Sequence, residues 1–117
     1  MKTLPSRLTV PVLVALLACA AVGAASAENA DLAYGRELVE ANCARCHAIG
    51  QDDESAHPEA PAFRTLTERY PLDALEEAFV EGITTGHPDM PEFVASPEQI
   101  GAIISFLDTL QPPAPAR

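Results

Sequence analysis

This 117-residue chain has one lysine, only one closely spaced pair of cysteines and little that resembles a β-strand pattern. The only lysine is Lys2, and 17 carboxylates stand against seven basic side chains, so nucleic acid and anionic lipid surfaces are unfavourable partners. The cysteines at 43 and 46 have no second pair to match them, which leaves a zinc site without its usual four ligands. No segment has a convincing strand pattern, which argues against a thioredoxin-like domain. No internal repeat is visible.

The one long apolar stretch is N-terminal and has the features of a signal peptide. A positively charged start precedes an apolar run over 10–25, and Ala-Ser-Ala at 25–27 forms a cleavage site. We expect residues 1–27 to be removed, so that 90 of the 117 residues are exported to the periplasm without a membrane span. The alternatives are a retained anchor, for which the run is short and rich in alanine, and lipidation at Cys19. All three place the remaining chain outside the cytoplasm.

Removal of this leader would leave a strongly acidic chain. It would hold five arginines, no lysine and all 17 carboxylates, a formal charge of 5 − 17 = −12. Such a charge favours a partner protein with a basic docking face. The alternative is that the charge only keeps an exported protein soluble.

The remaining length suits one small domain over 28–110, and its apolar spacing is helical. A first helix is predicted over Asp31–Ala41 with Asp31 as its cap, followed by an acidic surface loop over Ala48–Ala60. A short helix is predicted over Phe63–Tyr70, and Pro71 suits the first turn of the next helix. The side chains predicted to face inward from that helix are Leu72, Leu75, Phe79 and Ile83. Gly82 and Gly86 are predicted to mark its end.

The last helix has the clearest start signal. Ser96 is the predicted N-cap, Pro97 occupies the first position and Gln99 completes a capping box. Its predicted apolar stripe consists of Ile100, Ile103, Ile104 and Leu107, with Leu110 near the end. Three prolines follow, so residues 111–117 are expected to form a flexible tail.

The motif Cys43-Ala44-Arg45-Cys46-His47 carries most of the functional information. Its order is typical of covalent haem attachment. Each thiol can add across one vinyl group of a porphyrin, and the adjacent histidine is then held under the ring, where it can bind iron. A redox dithiol, half of a zinc site and a structural disulfide are alternatives. A disulfide would make the adjacent histidine a coincidence.

Iron bound by one histidine has either a second axial ligand or an open site. Met90 is the only methionine that remains after leader removal, and prolines restrict the backbone on both sides of it. A thioether favours reduced iron and raises the reduction potential relative to two histidines. His87 and His57 are rival ligands, and a methionine that fills a gap in the core is a further alternative.

These features together resemble a class I cytochrome c. The resemblance covers nearly all of the chain after the leader and rests, besides the cysteine motif, on Gly35, Val39, Ala60-Pro61, Met90-Pro91, Ile103 and Phe106. It implies that Gly35 lets the first helix cross the last one closely. It also implies that the Pro61 carbonyl orients His47 through a hydrogen bond.

The resemblance further implies an all-α fold packed around one covalently bound haem c. Cys43, Cys46, His47 and Met90 would hold the haem, and His47 and Met90 would bind its iron. The chain lacks the ring of lysines found in mitochondrial-type members, which puts docking to the same partners in doubt.

The expected function is that of a periplasmic one-electron carrier between redox proteins, because two protein ligands leave no iron position for a substrate. An alternative is a haem subunit of a periplasmic dehydrogenase or a respiratory complex. A peroxidase or a ligand sensor would need an empty distal site, and the sequence has no evident distal His–Arg pair. We therefore predict that the chain is not an enzyme.

Overall fold

A computed structural model describes residues 27–82 and 89–113 of the chain, and within these ranges the secondary structure is helical, with no strand. Residues 27–30 are helical and exposed, and a separate compact unit begins at Asp31. In the described ranges, no helix is long and apolar enough to cross a membrane. The positions that lie outside the described residues are 1–26 of the expected leader, Ile83, Gly86, His87 and the end of the tail.

The described part of the first helix, α1, covers residues 27–42, so the helix starts earlier than predicted. Asp31 therefore lies inside the helix and does not cap it. The prediction was wrong because alanine and glutamate just before Asp31 are good helix formers and extend the helix backwards. At its other end, α1 runs directly into the cysteine motif. There, the N–H groups of Cys43 and Ala44 both donate to the Val39 carbonyl, at 2.9 and 3.2 Å.

Two shorter helices follow the loop at 48–60. A 3-10 helix covers Phe63–Glu68, close to the predicted short helix. The second α-helix, α2, covers Leu72–Glu81, and Pro71 precedes it as an extended N-cap residue and not as part of its first turn. Gly82 ends α2 with a φ of 82°, a conformation that favours glycine. None of the residues in α2 is fully buried.

The last helix, α3, covers Pro97–Leu110 and begins with the predicted capping box. The Gln99 N–H donates to the Ser96 hydroxyl at 3.3 Å, and the Ser96 N–H donates to the Gln99 side chain at 2.9 Å. Such a cap stabilises a helix by about 1 kcal/mol. The predicted stripe is buried except for Ile104, which is half-buried, and Ala102 is buried in addition.

The core lies where α1, the 3-10 helix and α3 meet. Its buried cluster consists of Val39, Phe63, Leu66, Ile103, Leu107 and Leu110. Gly35 lies against α3 so closely that an added Cβ would sit 2.6 Å from the carbonyl carbon of Ala102. Only glycine permits this crossing, which confirms the role that the resemblance implied for Gly35.

Gln111 fastens the end of α3. Its side-chain amide donates to the carbonyls of Phe63 and Leu107, both at 2.8 Å. Its side-chain oxygen accepts from the N–H and the hydroxyl of Thr67, at 3.1 and 3.0 Å. The first residue of the expected tail is therefore bound to the 3-10 helix, while the flexibility of the residues beyond it stays a prediction.

Candidate functional site

The cysteine motif forms a tight turn that continues from the end of α1. The N–H groups of Cys46 and His47 both donate to the Cys43 carbonyl, at 3.1 and 2.9 Å. Both thiols are half-buried, and their sulfurs are not joined to one another. The turn therefore holds two separate thiols and an imidazole within five residues.

The protonation of Cys43 argues against a redox dithiol. Burial raises the pKa of the Cys43 thiol to about 11, so the thiol is un-ionised at neutral pH. Reactive dithiols depend on a lowered thiol pKa, because the thiolate is the nucleophile. In the described ranges, no group of three or more His, Cys, Asp or Glu side chains is placed to hold a metal ion.

The His47 ring is oriented by Pro61, as the resemblance implied. The ring Nδ1 lies 2.8 Å from the Pro61 carbonyl oxygen. A carbonyl can only accept, so Nδ1 carries the proton and Nε2 keeps a lone pair for a metal. The Phe63 ring packs against the imidazole at a centroid distance of 4.6 Å. The His47 ring is thus held by a hydrogen bond and by a buried aromatic ring.

The loop that follows the motif is ordered by Asp53 and Arg64, two residues that sequence reasoning missed. The Asp53 carboxylate accepts from the N–H groups of Ile49 and Gly50, at 3.0 and 2.9 Å. Arg64 donates to the Asp53 carbonyl at 2.7 Å and lies 3.6 Å from its carboxylate. Partial desolvation raises the pKa of Asp53, but the backbone hydrogen bonds and the Arg64 charge outweigh it and hold that pKa below its ordinary value.

The Met90 segment is connected to the cysteine motif through His57. The His57 N–H donates to the Cys46 carbonyl at 3.1 Å, and the ring Nε2 of His57 lies 3.2 Å from an Asp89 carboxylate oxygen. Met90 is the next residue and is half-buried. Two hydrogen bonds therefore join the proximal and the expected distal parts of the site.

The contacts of His57 count against it as an iron ligand. Its Nδ1 accepts from the Glu59 N–H at 3.2 Å, which puts the proton of the neutral ring on Nε2. Nε2 then donates to Asp89, so both ring nitrogens are engaged. His87, the other rival, lies outside the described residues.

The core to which Phe63 and thereby His47 are connected carries further apolar side chains that are only partly buried. The side chains of Leu72, Leu75 and Phe79 on α2 remain only half-buried, and Phe79 meets Phe93 edge-on at 6.1 Å. Other half-buried apolar side chains packed against the core are Leu38, Ile49, Ile104 and Phe106. Two thiols, an imidazole with a free Nε2 and this apolar surface are what covalently bound haem requires. Bound haem supplies an iron that cycles between the ferrous and ferric states.

Known proteins match most of the chain. The profile of a family described as "Cytochrome C oxidase, cbb3-type, subunit III" matches residues 30–107. Cytochrome c-552 of Bradyrhizobium diazoefficiens is 28% identical over 99 residues, which cover 85% of this chain and 93% of that protein. No solved structure matches significantly.

Two further relatives each match more than two thirds of the chain. The chloroplastic cytochrome c6 of Chlamydomonas reinhardtii is 35% identical over 89 residues, which cover 73% of this chain and 58% of that protein. A cytochrome c-553-like protein of Synechocystis sp. is 30% identical over 80 residues, which cover 68% of this chain and 70% of that protein. Together with the geometry of the cysteine motif, these matches show that the chain belongs to the cytochrome c family, as a small class I c-type cytochrome that carries haem c and transfers electrons.

Proposed function

We propose that this cytochrome is a periplasmic one-electron carrier whose haem iron is bound by His47 and Met90. The observation that carries the proposal is the pair of hydrogen bonds through His57. They tie the half-buried Met90 segment to the Cys46 carbonyl, within the motif that supplies His47. Met90 directly follows Asp89, and we infer that its thioether approaches the haem from the side opposite His47.

His47 and Met90 would each affect the iron in a different way. The Pro61 carbonyl keeps the Nδ1 proton on His47 and so directs Nε2 to the iron. A neutral, soft thioether from Met90 would favour the ferrous state and raise the reduction potential. With both positions filled, no substrate can bind the iron, so the expected activity is electron exchange and not enzymatic catalysis.

The charge of the chain bears on its partners. A formal charge of −10 for the whole sequence, which becomes more negative without the leader, favours docking to a basic face on the donor and on the acceptor. The electron would pass through the exposed haem edge. The same charge disfavours nucleic acid and anionic membrane surfaces.

Absorption spectroscopy tests the ligands. The oxidised protein is expected to have a weak iron–methionine charge-transfer band, and the reduced protein is expected not to bind carbon monoxide. Met90→Ala should abolish the band and lower the potential, whereas His87→Ala serves as the matched control and should retain it. Ready binding of carbon monoxide to the wild type would favour an open-site function and contradict the carrier proposal.

The proposed location depends on the leader. The mass of the purified holoprotein should equal that of residues 28–117 plus one haem if cleavage occurs after Ala27. A mass that includes residues 1–27 would indicate a retained anchor. A lipid-modified chain that begins at Cys19 would indicate a lipoprotein.

A second candidate function is that of a haem subunit in a respiratory complex. It is favoured by the description of the matched family as an oxidase subunit. Gentle extraction of the protein from its source, followed by native mass measurement, separates the two functions. Migration as a single chain supports the carrier, and stable recovery in a larger assembly supports the subunit.

A further inference from the structure

The contact between His57 and Asp89 joins two loops that lie far apart in the chain. His57 belongs to the loop after the cysteine motif, and Asp89 directly precedes Met90. The two side chains meet at 3.2 Å, Nε2 to Oδ2, across 32 residues of sequence. A second bond, from the His57 N–H to the Cys46 carbonyl at 3.1 Å, fixes the backbone of His57 to the motif itself.

The orientation of the His57 ring is determined locally. The Glu59 N–H donates to Nδ1 at 3.2 Å, which leaves Nε2 as the proton-bearing nitrogen of the neutral ring. Nε2 therefore approaches Asp89 as a donor, and the carboxylate can only accept. The bond from Glu59 thus orients the Nε2–H group of His57 independently of Asp89.

We propose that the His57–Asp89 link is a positioning contact that keeps Asp89 and Met90 close to the iron. This inference rests on the proposed ligation by Met90. The link reduces the fraction of time in which the thioether is away from the metal. Asp89 and Met90 cannot move away from the cysteine motif together without breaking it. His57 acts through Asp89 and Met90 and does not bind the iron.

The expected size of the effect follows from exposure. The side chains of His57 and Asp89 are 32% and 70% exposed, and contacts of this kind contribute up to about 1 kcal/mol. This corresponds to an effect of at most about fivefold on the equilibrium between the state with the thioether on the iron and the state with the thioether away from it. The link therefore increases the fraction of molecules in which Met90 is bound to the iron, but Met90 is expected to bind without the link as well.

Imidazole is a suitable probe, since it binds ferric haem iron only when the native distal ligand leaves. In the full holoprotein, we expect His57→Leu and Asp89→Ala each to raise the apparent imidazole affinity about two- to fivefold. The double variant should exceed neither single variant, because both remove the same link. His57→Gln, which keeps a donor near the Nε2 position, should remain close to the wild type.

Asp52→Ala is the matched control, because it removes an exposed carboxylate from the same loop as His57. Its imidazole affinity should equal that of the wild type. The proposed role of the link would be refuted if the two substitutions had additive effects on imidazole affinity, or if the single variants had the same affinity as the control. Neither result would contradict Met90 ligation. A lower unfolding midpoint with unchanged imidazole affinity would indicate a merely structural contact and would overturn it too. Absence of the charge-transfer band in unmodified protein would instead refute the Met90 ligation, and the link with it.

Discussion

Gly35 of α1 lies directly against the backbone of Ala102 in α3. A Cβ at residue 35 would overlap the Ala102 carbonyl oxygen and sit 3.1 Å from the Cβ of Phe106. This approach brings the end of α1, and with it the cysteine motif, onto the core shared with α3. The position of His47 therefore depends on a residue twelve positions earlier that never touches it.

Gly35→Ala is expected to destabilise the holoprotein by about 1–3 kcal/mol, because the helices must separate to admit a methyl group. Gly101→Ala is the matched control. An added Cβ there meets nothing within 4 Å, and alanine inside a helix is better than glycine by about 0.5–1 kcal/mol. Denaturant unfolding followed by circular dichroism measures both. Equal effects of the same sign would contradict the close crossing.

Gln111→Ala is expected to lower the free energy of unfolding by about 1–3 kcal/mol, since one side chain satisfies donors and acceptors in α3 and the 3-10 helix. Gln51→Ala provides the comparison. It removes a single hydrogen bond to the Leu110 carbonyl, at 3.2 Å, and should cost less than about 1 kcal/mol. If the two variants unfold at the same denaturant concentration, Gln111 does not fasten the helix end.

The lowered pKa of Asp53 predicts a specific dependence of stability on pH. Because the fold favours the ionised carboxylate, its contribution is fully present above the ordinary value of 3.8 and is lost as pH falls below it through the lowered pKa of the folded state. Asp53→Asn should therefore be less stable than the wild type near neutral pH, and the difference should shrink under acid.

Unfolding free energies measured from neutral pH down to about pH 2 test this dependence. Asp52→Asn, which makes the same chemical change at the neighbouring exposed residue, is the control and should remain close to the wild type throughout. A deficit of Asp53→Asn that stays constant over the whole range would contradict the stated role of the backbone hydrogen bonds.

The acidic charge predicts opposite salt effects on electron transfer with small redox reagents. Reduction of the oxidised protein by a cationic ruthenium hexaammine complex should slow as salt rises, because screening removes the attraction. Oxidation of the reduced protein by anionic ferricyanide should become faster. At low salt, such steering changes rates by about 10- to 1,000-fold. Stopped-flow rates that are flat in both directions would show that the charge does not act at the haem edge.

The helices and the cysteine motif are the parts that the sequence determines. The capping box at Ser96 and Gln99 is local, because each partner lies within one helical turn of the other, so sequence spacing is sufficient to predict it. The cysteine motif is also local. It defines the chemistry of the site within five residues. The early start of α1 was missed because a capping residue competes with helix formers on both sides, and propensity alone does not decide between them.

Tertiary structure alone decides the contacts that support these local elements. Asp53 and Arg64, Gln111 and Thr67, and His57 and Asp89 are polar pairs separated by 11 to 44 residues. No periodicity or spacing rule links such residues, since their meeting depends on how the helices cross. The amino-acid sequence thus specifies which groups are available to bind the haem, and packing determines how firmly they are held, because hydrogen bonds between distant loops form only after the core has brought those loops together.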